Sequence, residues 1–170
     1  MKPICLIAAR GGSKGVKNKN TRMIAGKPLI AHTIEKAINS KIFQHVIVSS
    51  EDSKIISIAK KFGAEVPFLR PKKLATDNAS MTDVLFHTIT KLKQLNYEFD
   101  TIVSRDCTVP FIDKKDICGS LKTYYSKPCN LVCGVYKQHH NPYFNMMEKN
   151  KEKYLDFSKK LKTQVSGRQN

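Results

Sequence analysis

The sequence predicts an α/β fold, a mostly parallel sheet sandwiched between helices, and three observations carry that prediction. Short apolar runs alternate with amphipathic stretches of helix length through residues 1–136. The first of those runs ends in a glycine-rich turn, as a buried parallel strand does when it opens into a ligand loop. The chain has 170 residues, 41% of them hydrophobic, enough to bury the core of one such domain.

The elements follow in order. PICLIAA at residues 3–9 reads as a buried strand that opens into RGGSKG. From Pro28, PLIAHTIEKAI repeats apolar residues at Leu29, Ile30, Ile34 and Ile38, with the proline suited to a first helical turn. HVIVSS is a second strand, and the Ser-Glu-Asp after it supplies caps for a helix carrying Ile55, Ala59 and Phe62 and ended by Gly63. AEVPFL is a third, shorter strand, and Pro67 places it at an edge or a sheet end. The polar loop RPKKLATDNAS leads to a helix with Val84, Leu85, Ile89, Leu92 and Leu95 on one side. DTIVS is a fourth strand, RDCTVP its following loop, DKKDICGSLKTYYS a helix, and NLVCGVY a fifth strand. Residues 137–170 break the alternation and form a second, β-rich part. There PYFNMME and KYLDF read as an antiparallel pair around the charged turn NKEK.

In a parallel α/β sheet, ligands bind beyond the carboxyl ends of the strands. That rule gathers residues 10–20, 49–52, 70–80 and 105–110 on one rim. The chain also carries 30 Lys and Arg against 14 Asp and Glu, a net charge of +16, which favours phosphates or acidic molecules as partners. Nucleic acid is not the expected partner: aromatic residues are 8% of the chain, no stacking motif is present, and the basic residues are dispersed. Cys5, Cys107, Cys118, Cys129 and Cys133 are too sparse for a disulfide scaffold and form no metal-binding spacing, so they read as structural thiols in a reducing compartment. No apolar run is long enough to span a membrane, and a cytoplasmic protein is expected.

The chemistry concentrates in AARGGSKGVKNKN. Glycines let the backbone approach a phosphate chain, Ser13 offers a hydroxyl, and Arg10, Lys14 and Lys19 offer charge. The Walker pattern fails for want of a Lys-Ser/Thr pair after the last glycine, and Gly11, Gly12 and Gly15 do not match the dinucleotide fingerprint.

ARGGSKG, then Lys19-Asn20, then GKPLIAHTI resemble the opening of the acylneuraminate cytidylyltransferases, the CMP-sialic acid synthetase family. IVSSEDSKI, FGAEVPFLRPKKLATDNAS and the terminal GRQN resemble it too, in the same order and spacing. The resemblance implies a Rossmann-like fold of the nucleotide-diphospho-sugar transferase type, with CTP, a nonulosonic acid and Mg²⁺ as the molecules handled. It implies CTP contacts at Ala8, Arg10, Gly12, Ser13, Lys14, Lys19, Asn20, Arg70, Asp77, Ala79 and Ser80, with Lys19 and Arg10 as catalytic cations. A helix N-cap role for Asp77, a surface position for Arg70 and a merely positioning role for Lys19 stand beside those readings. Asp106 and Thr108, with Arg168 and Gln169, are implied at the sugar, and Asp106 also as a metal ligand or a structural loop carboxylate. RDCTVPFI departs from the family's usual LQPTSPLR, which opens the choice of sugar to legionaminic- and pseudaminic-type acids. The segment around His139 and His140 resembles one that contributes to the sugar pocket and the dimer contact, so residues 137–170 are expected to serve sugar binding and homodimerisation. The family continues past the equivalent of Asn170 with a further strand and an acidic, metal-binding segment. An incomplete C-terminus and weak or no turnover by this polypeptide alone are therefore expected. A non-catalytic nucleotide-binding relative and a ketodeoxyoctonate-type cytidylyltransferase are the alternatives.

Overall fold

The protein is described here by a computed structural model covering residues 1–13, 15–135 and 146–159. The chain divides into two compact units, Met1–Asn130 and Leu131–Asn170.

The first unit is built on three parallel strands. β1 (Pro3–Ala8) runs into the glycine loop, and a short hairpin of β2 (Met23–Ile24) and β3 (Lys27–Pro28) precedes α1 (Leu29–Ser40). Ala25 and Gly26, both at positive φ, make that hairpin's turn. β4 (Val46–Ser49) leads to α2 (Ser53–Lys61), then comes α3 (Met81–Gln94), then β5 (Thr101–Arg105) and α4 (Lys114–Ser126). The sheet order is β4-β1-β5, with Cys5 opposite both Val46 and Val103.

Strand alternation sorts the core into two layers. Cys5, Ile7, Val46 and Val48 face Ile30 and Ile34 of α1 and Ile55 and Ala59 of α2. Ile4, Leu6 and Ile47 face the other way, toward Leu92 of α3 and the partly buried Leu85, Phe99 and Ile102. Helices therefore cover both faces of the sheet, as the continuous apolar runs of β1 and β4 require.

The caps explain where the helices begin and end. Asp52 Oδ1 accepts the Ile55 N–H at 2.9 Å at the start of α2, and Gly63, at φ 86°, follows its end. Ser80 Oγ accepts the Asp83 N–H at 3.1 Å, so the cap of α3 is Ser80 rather than Asp77. The Asp113 N–H donates to Asp116 Oδ2 at 2.8 Å at the start of α4.

Two of the expected strands differ. AEVPFL contributes a single bridge, Glu65 to Ile47, in which Val48 N donates to Glu65 O and Glu65 N to Val46 O. Pro67, two residues on, has no N–H with which to extend the ladder. Leu131–Val135 of NLVCGVY have no regular structure and no strand partner among the described residues, with Leu131 and Val135 exposed. A strand persists only where a neighbour takes its backbone hydrogen bonds.

In the second unit, β6 (Met147–Lys149) and β7 (Leu155–Phe157) form the expected antiparallel pair. Asn150 closes its turn, its side-chain oxygen accepting the N–H groups of Glu152 and Tyr154 at 3.1 and 3.0 Å. The first half of PYFNMME lies outside the described residues.

Candidate nucleotide site

β1, β4 and β5 all end on one rim, and a cavity of about 570 Å³ opens there. Its size is that of an ordinary small-molecule site. The loop after β1 contributes Arg10, Ser13, Gly15, Val16, Lys19 and Asn20, with Ala8 from the strand itself. The loop before α3 contributes Arg70, Leu74, Thr76, Asp77 and Ala79, α3 adds Met81 and Val84, and Asp106 comes from the end of β5.

Arg70 is only 4% exposed, which sets aside a surface role for it. Its Nε donates to Ser49 Oγ at 3.1 Å and its Nη2 to the Ser49 carbonyl, while its own N–H bonds Ser50 O at 3.0 Å. Burial pushes the guanidinium below its ordinary pKa range; Glu51 opposes that shift and Arg10 adds to it by repulsion. A buried cation with one edge on β4 and its charge only partly compensated is suited to an anionic ligand.

Asn20 is 6% exposed, and its Nδ2 donates to the Arg10 carbonyl at 3.0 Å, closing the glycine loop on itself. Across the cavity, Arg10 Nη2 meets Asp77 Oδ1 at 2.7 Å and Nη1 donates to Ala75 O at 3.3 Å. Both side chains of that ion pair are partly exposed, so the pair is worth at most about 1 kcal/mol.

Of the residues singled out in the sequence, Ala8, Arg10, Ser13, Lys19, Asn20, Arg70, Asp77, Ala79 and Asp106 line the cavity. Ser80 serves as the α3 cap, and Gly12 and Thr108 stand outside the lining. Thr108 instead bonds Asp106: its N–H and hydroxyl both donate to Asp106 Oδ1, at 2.8 and 2.7 Å. Lys14, His139, His140, Arg168 and Gln169 lie outside the described residues. Val16, Leu74, Thr76, Met81 and Val84 also line the cavity without having been singled out as contacts; Leu74 and Thr76 lie in the segment placed on the rim, and Val84, expected on the apolar side of its helix, is only 4% exposed. Their only sequence signal was proximity to a polar loop, since neither small nor apolar side chains announce a ligand.

The five cysteines are free thiols, Cys5 and Cys107 buried and Cys118, Cys129 and Cys133 exposed. No helix among the described residues is long and apolar enough to cross a membrane.

The chain is similar to several known proteins. A pseudaminic acid cytidylyltransferase of Campylobacter jejuni is 45% identical over 127 residues, 75% of this chain and 53% of that protein. A CMP-N,N'-diacetyllegionaminic acid synthase of the same species is 35% identical over 146 residues, 85% of this chain and 62% of that protein. The chain thus spans between half and two thirds of the length of these relatives. A solved CMP:2-keto-3-deoxy-manno-octonic acid synthetase complexed with CTP superposes with a TM-score of 0.64 at 26% identity, over 75% of this chain and 49% of that one. A 4-diphosphocytidyl-2C-methyl-D-erythritol synthase of Anaerococcus prevotii, 12% identical with a TM-score of 0.55, shares the fold. The family model described as "Cytidylyltransferase" matches residues 4–163, and the chain belongs to that family.

Proposed function

We propose that the chain forms the CTP-binding part of a cytidylyltransferase that transfers CMP from CTP to the anomeric hydroxyl of a sialic-acid-like nonulosonic acid, releasing pyrophosphate. The observation that carries this reading is the cavity that unites Arg10, Lys19 and Arg70 with the small residues Ala8 and Ala79 at the strand ends. Three cations from distant parts of the chain on one pocket suit a strongly anionic ligand. The relatives named for pseudaminic and legionaminic acid support that class of acceptor sugar.

In this reading Arg10, Lys19 and Arg70 bind the phosphates, with Ser13, Gly12 and Lys14 along the loop. Asn20 holds the loop's shape. Ala79, Asp77 and Ser80 border the base, and Asp106, Thr108, Arg168 and Gln169 serve the sugar. Catalysis is in-line attack of the sugar hydroxyl on the α-phosphorus. Lys19, assisted by Arg10, stabilises the charge that gathers on the non-bridging oxygens. Residues 137–170 support sugar binding and a homodimer.

A magnesium ion bound to a nucleotide needs only one or two protein carboxylates, the phosphates supplying the rest. Asp106, in the cavity wall, is the carboxylate that fits, although one of its oxygens already serves Thr108. The described residues contain no group of three ligating side chains. Magnesium would supply neutralisation of the phosphate charge.

Direct calorimetric binding of CTP, UTP, ATP and GTP tests the nucleotide. Pyrophosphate release with pseudaminic, legionaminic, N-acetylneuraminic and ketodeoxyoctonic acids tests the acceptor. Preference for CTP is expected, and equal binding of all four nucleotides refutes the reading.

A further inference from the structure

Glu51 lies two residues past the end of β4, in the rim segment 49–52, and the sequence assigned it no role of its own. It does not line the cavity, yet three observations tie it to the residues that do. Its Oε1 accepts the Gly11 N–H at 2.8 Å, joining the end of β4 to the glycine loop. Its Oε2 is sealed from solvent and has no hydrogen-bond partner among the described residues. Its charge acts on Arg70, where it opposes the repulsion coming from Arg10.

A carboxylate near a triphosphate site works against the ligand in simple Coulomb terms. A buried oxygen with no partner costs free energy as well. Both costs are intelligible if the side chain performs a task that needs an acceptor oxygen at this reach, which a shorter residue or one without such an oxygen cannot perform. The glycine loop supplies that task. Glycines give the loop no preferred geometry of its own, and a loop that must present amides to phosphates has to be fixed from outside. Glu51 fixes it at the first glycine, where the loop leaves β1. Gly11 is meanwhile pressed against the next residue along, since a Cβ there would stand 2.5 Å from Asp52 Oδ2.

We propose that Glu51 is the positioning residue of the phosphate loop: its Oε1 holds the Gly11 amide and so sets the path of Gly12 and Ser13 toward the phosphates. The proposal rests on reading the cavity as a CTP site. Glu51 acts through Gly11 and touches no reacting atom. Its contribution is therefore to phosphate binding, not to recognition of the base.

The test compares wild type with Glu51→Gln, Glu51→Asp and Glu51→Ala by calorimetric titration with CTP, CMP and cytidine. Gln keeps an acceptor oxygen at the same reach without the charge; Asp keeps the charge but falls one methylene short of Gly11. The expected order for CTP is wild type close to Gln, with Asp and Ala weaker by about tenfold, the scale of one lost hydrogen bond. Cytidine should bind all four proteins alike, and CMP should show a smaller loss than CTP. Equal CTP affinity in all four proteins overturns the inference while leaving the CTP site standing. So does a loss for cytidine as large as that for CTP, or retention by Asp with loss by Gln. If the Ala variant does not fold, the comparison of Gln with Asp decides alone. A wild type that binds CTP no better than cytidine instead overturns the reading of the cavity itself.

Discussion

Substituting Gly11 with alanine puts a methyl group where Asp52 already stands. The new Cβ would lie 2.5 Å from Asp52 Oδ2 and 3.1 and 3.2 Å from its Cγ and Cβ, all well inside van der Waals contact. Two responses are open. Asp52 can withdraw, giving up the bond from Ile55 N–H that caps α2, at about 0.5–2 kcal/mol. Alternatively the loop can shift, giving up the bond from Gly11 N–H to Glu51, at about 1.5–3 kcal/mol. The cheaper route sets the cost, so Gly11→Ala should destabilise by about 1–2 kcal/mol. For a chain of this length that is a fall in melting temperature of roughly 2–8 °C. Asp52→Ser removes the obstructing Oδ2 and keeps a capping oxygen, so alone it should cost only a few tenths of a kcal/mol. Thermal or urea denaturation of the four members of this cycle measures the coupling. Gly11→Ala should be nearly harmless in the Asp52→Ser background, giving a coupling of about 1 kcal/mol. Equal losses in both backgrounds would refute the contact, and a Gly11→Ala protein melting within 1 °C of wild type, by the ~2 °C floor above, would refute the clash altogether.

Three further outcomes are expected. Arg70→Lys keeps the charge but loses the fork that engages Ser49, and calorimetry should find CTP affinity reduced by about tenfold or more. Arg105 is 3% exposed and none of its three guanidinium nitrogens has a hydrogen-bond partner among the described residues, so Arg105→Met should raise the melting temperature, by a few degrees on the scale of about 1 kcal/mol. Burial pushes the Cys5 and Cys107 thiols up to about 12, so a chromogenic disulfide at pH 8 should label Cys118, Cys129 and Cys133 quickly and these two only on unfolding.

The sheet's central strand and the four α-helices among the described residues were legible because each carries its signal locally. PICLIA is apolar at every position, which only a strand buried on both faces explains, and Asp52 and Gly63 bracket α2 as side-chain chemistry requires. The hairpin at Met23–Pro28 was missed because its strands are two residues each and show no alternation to read. NLVCGVY misled for the opposite reason: its composition suits a strand, but pairing depends on a partner that local sequence does not specify. The same division holds at the site. Arg10, Lys19 and Arg70 were visible as cations beside turns, whereas the role of Glu51 depends on a contact across forty residues of chain that no local pattern encodes.

The order of the sheet bears on how the chain is made. β1 leaves the ribosome before both of the strands it pairs with yet lies between them, and those partners arrive much later, β4 at Val46 and β5 at Thr101. Until both are present, Ile4 to Ile7 carry unpaired backbone groups on two sides and apolar side chains on two faces. A nascent chain halted before Thr101 should accordingly be a substrate for chaperones, and protease resistance should appear abruptly once β5 has emerged. The most deeply held strand of the finished protein is the most vulnerable segment of the unfinished one.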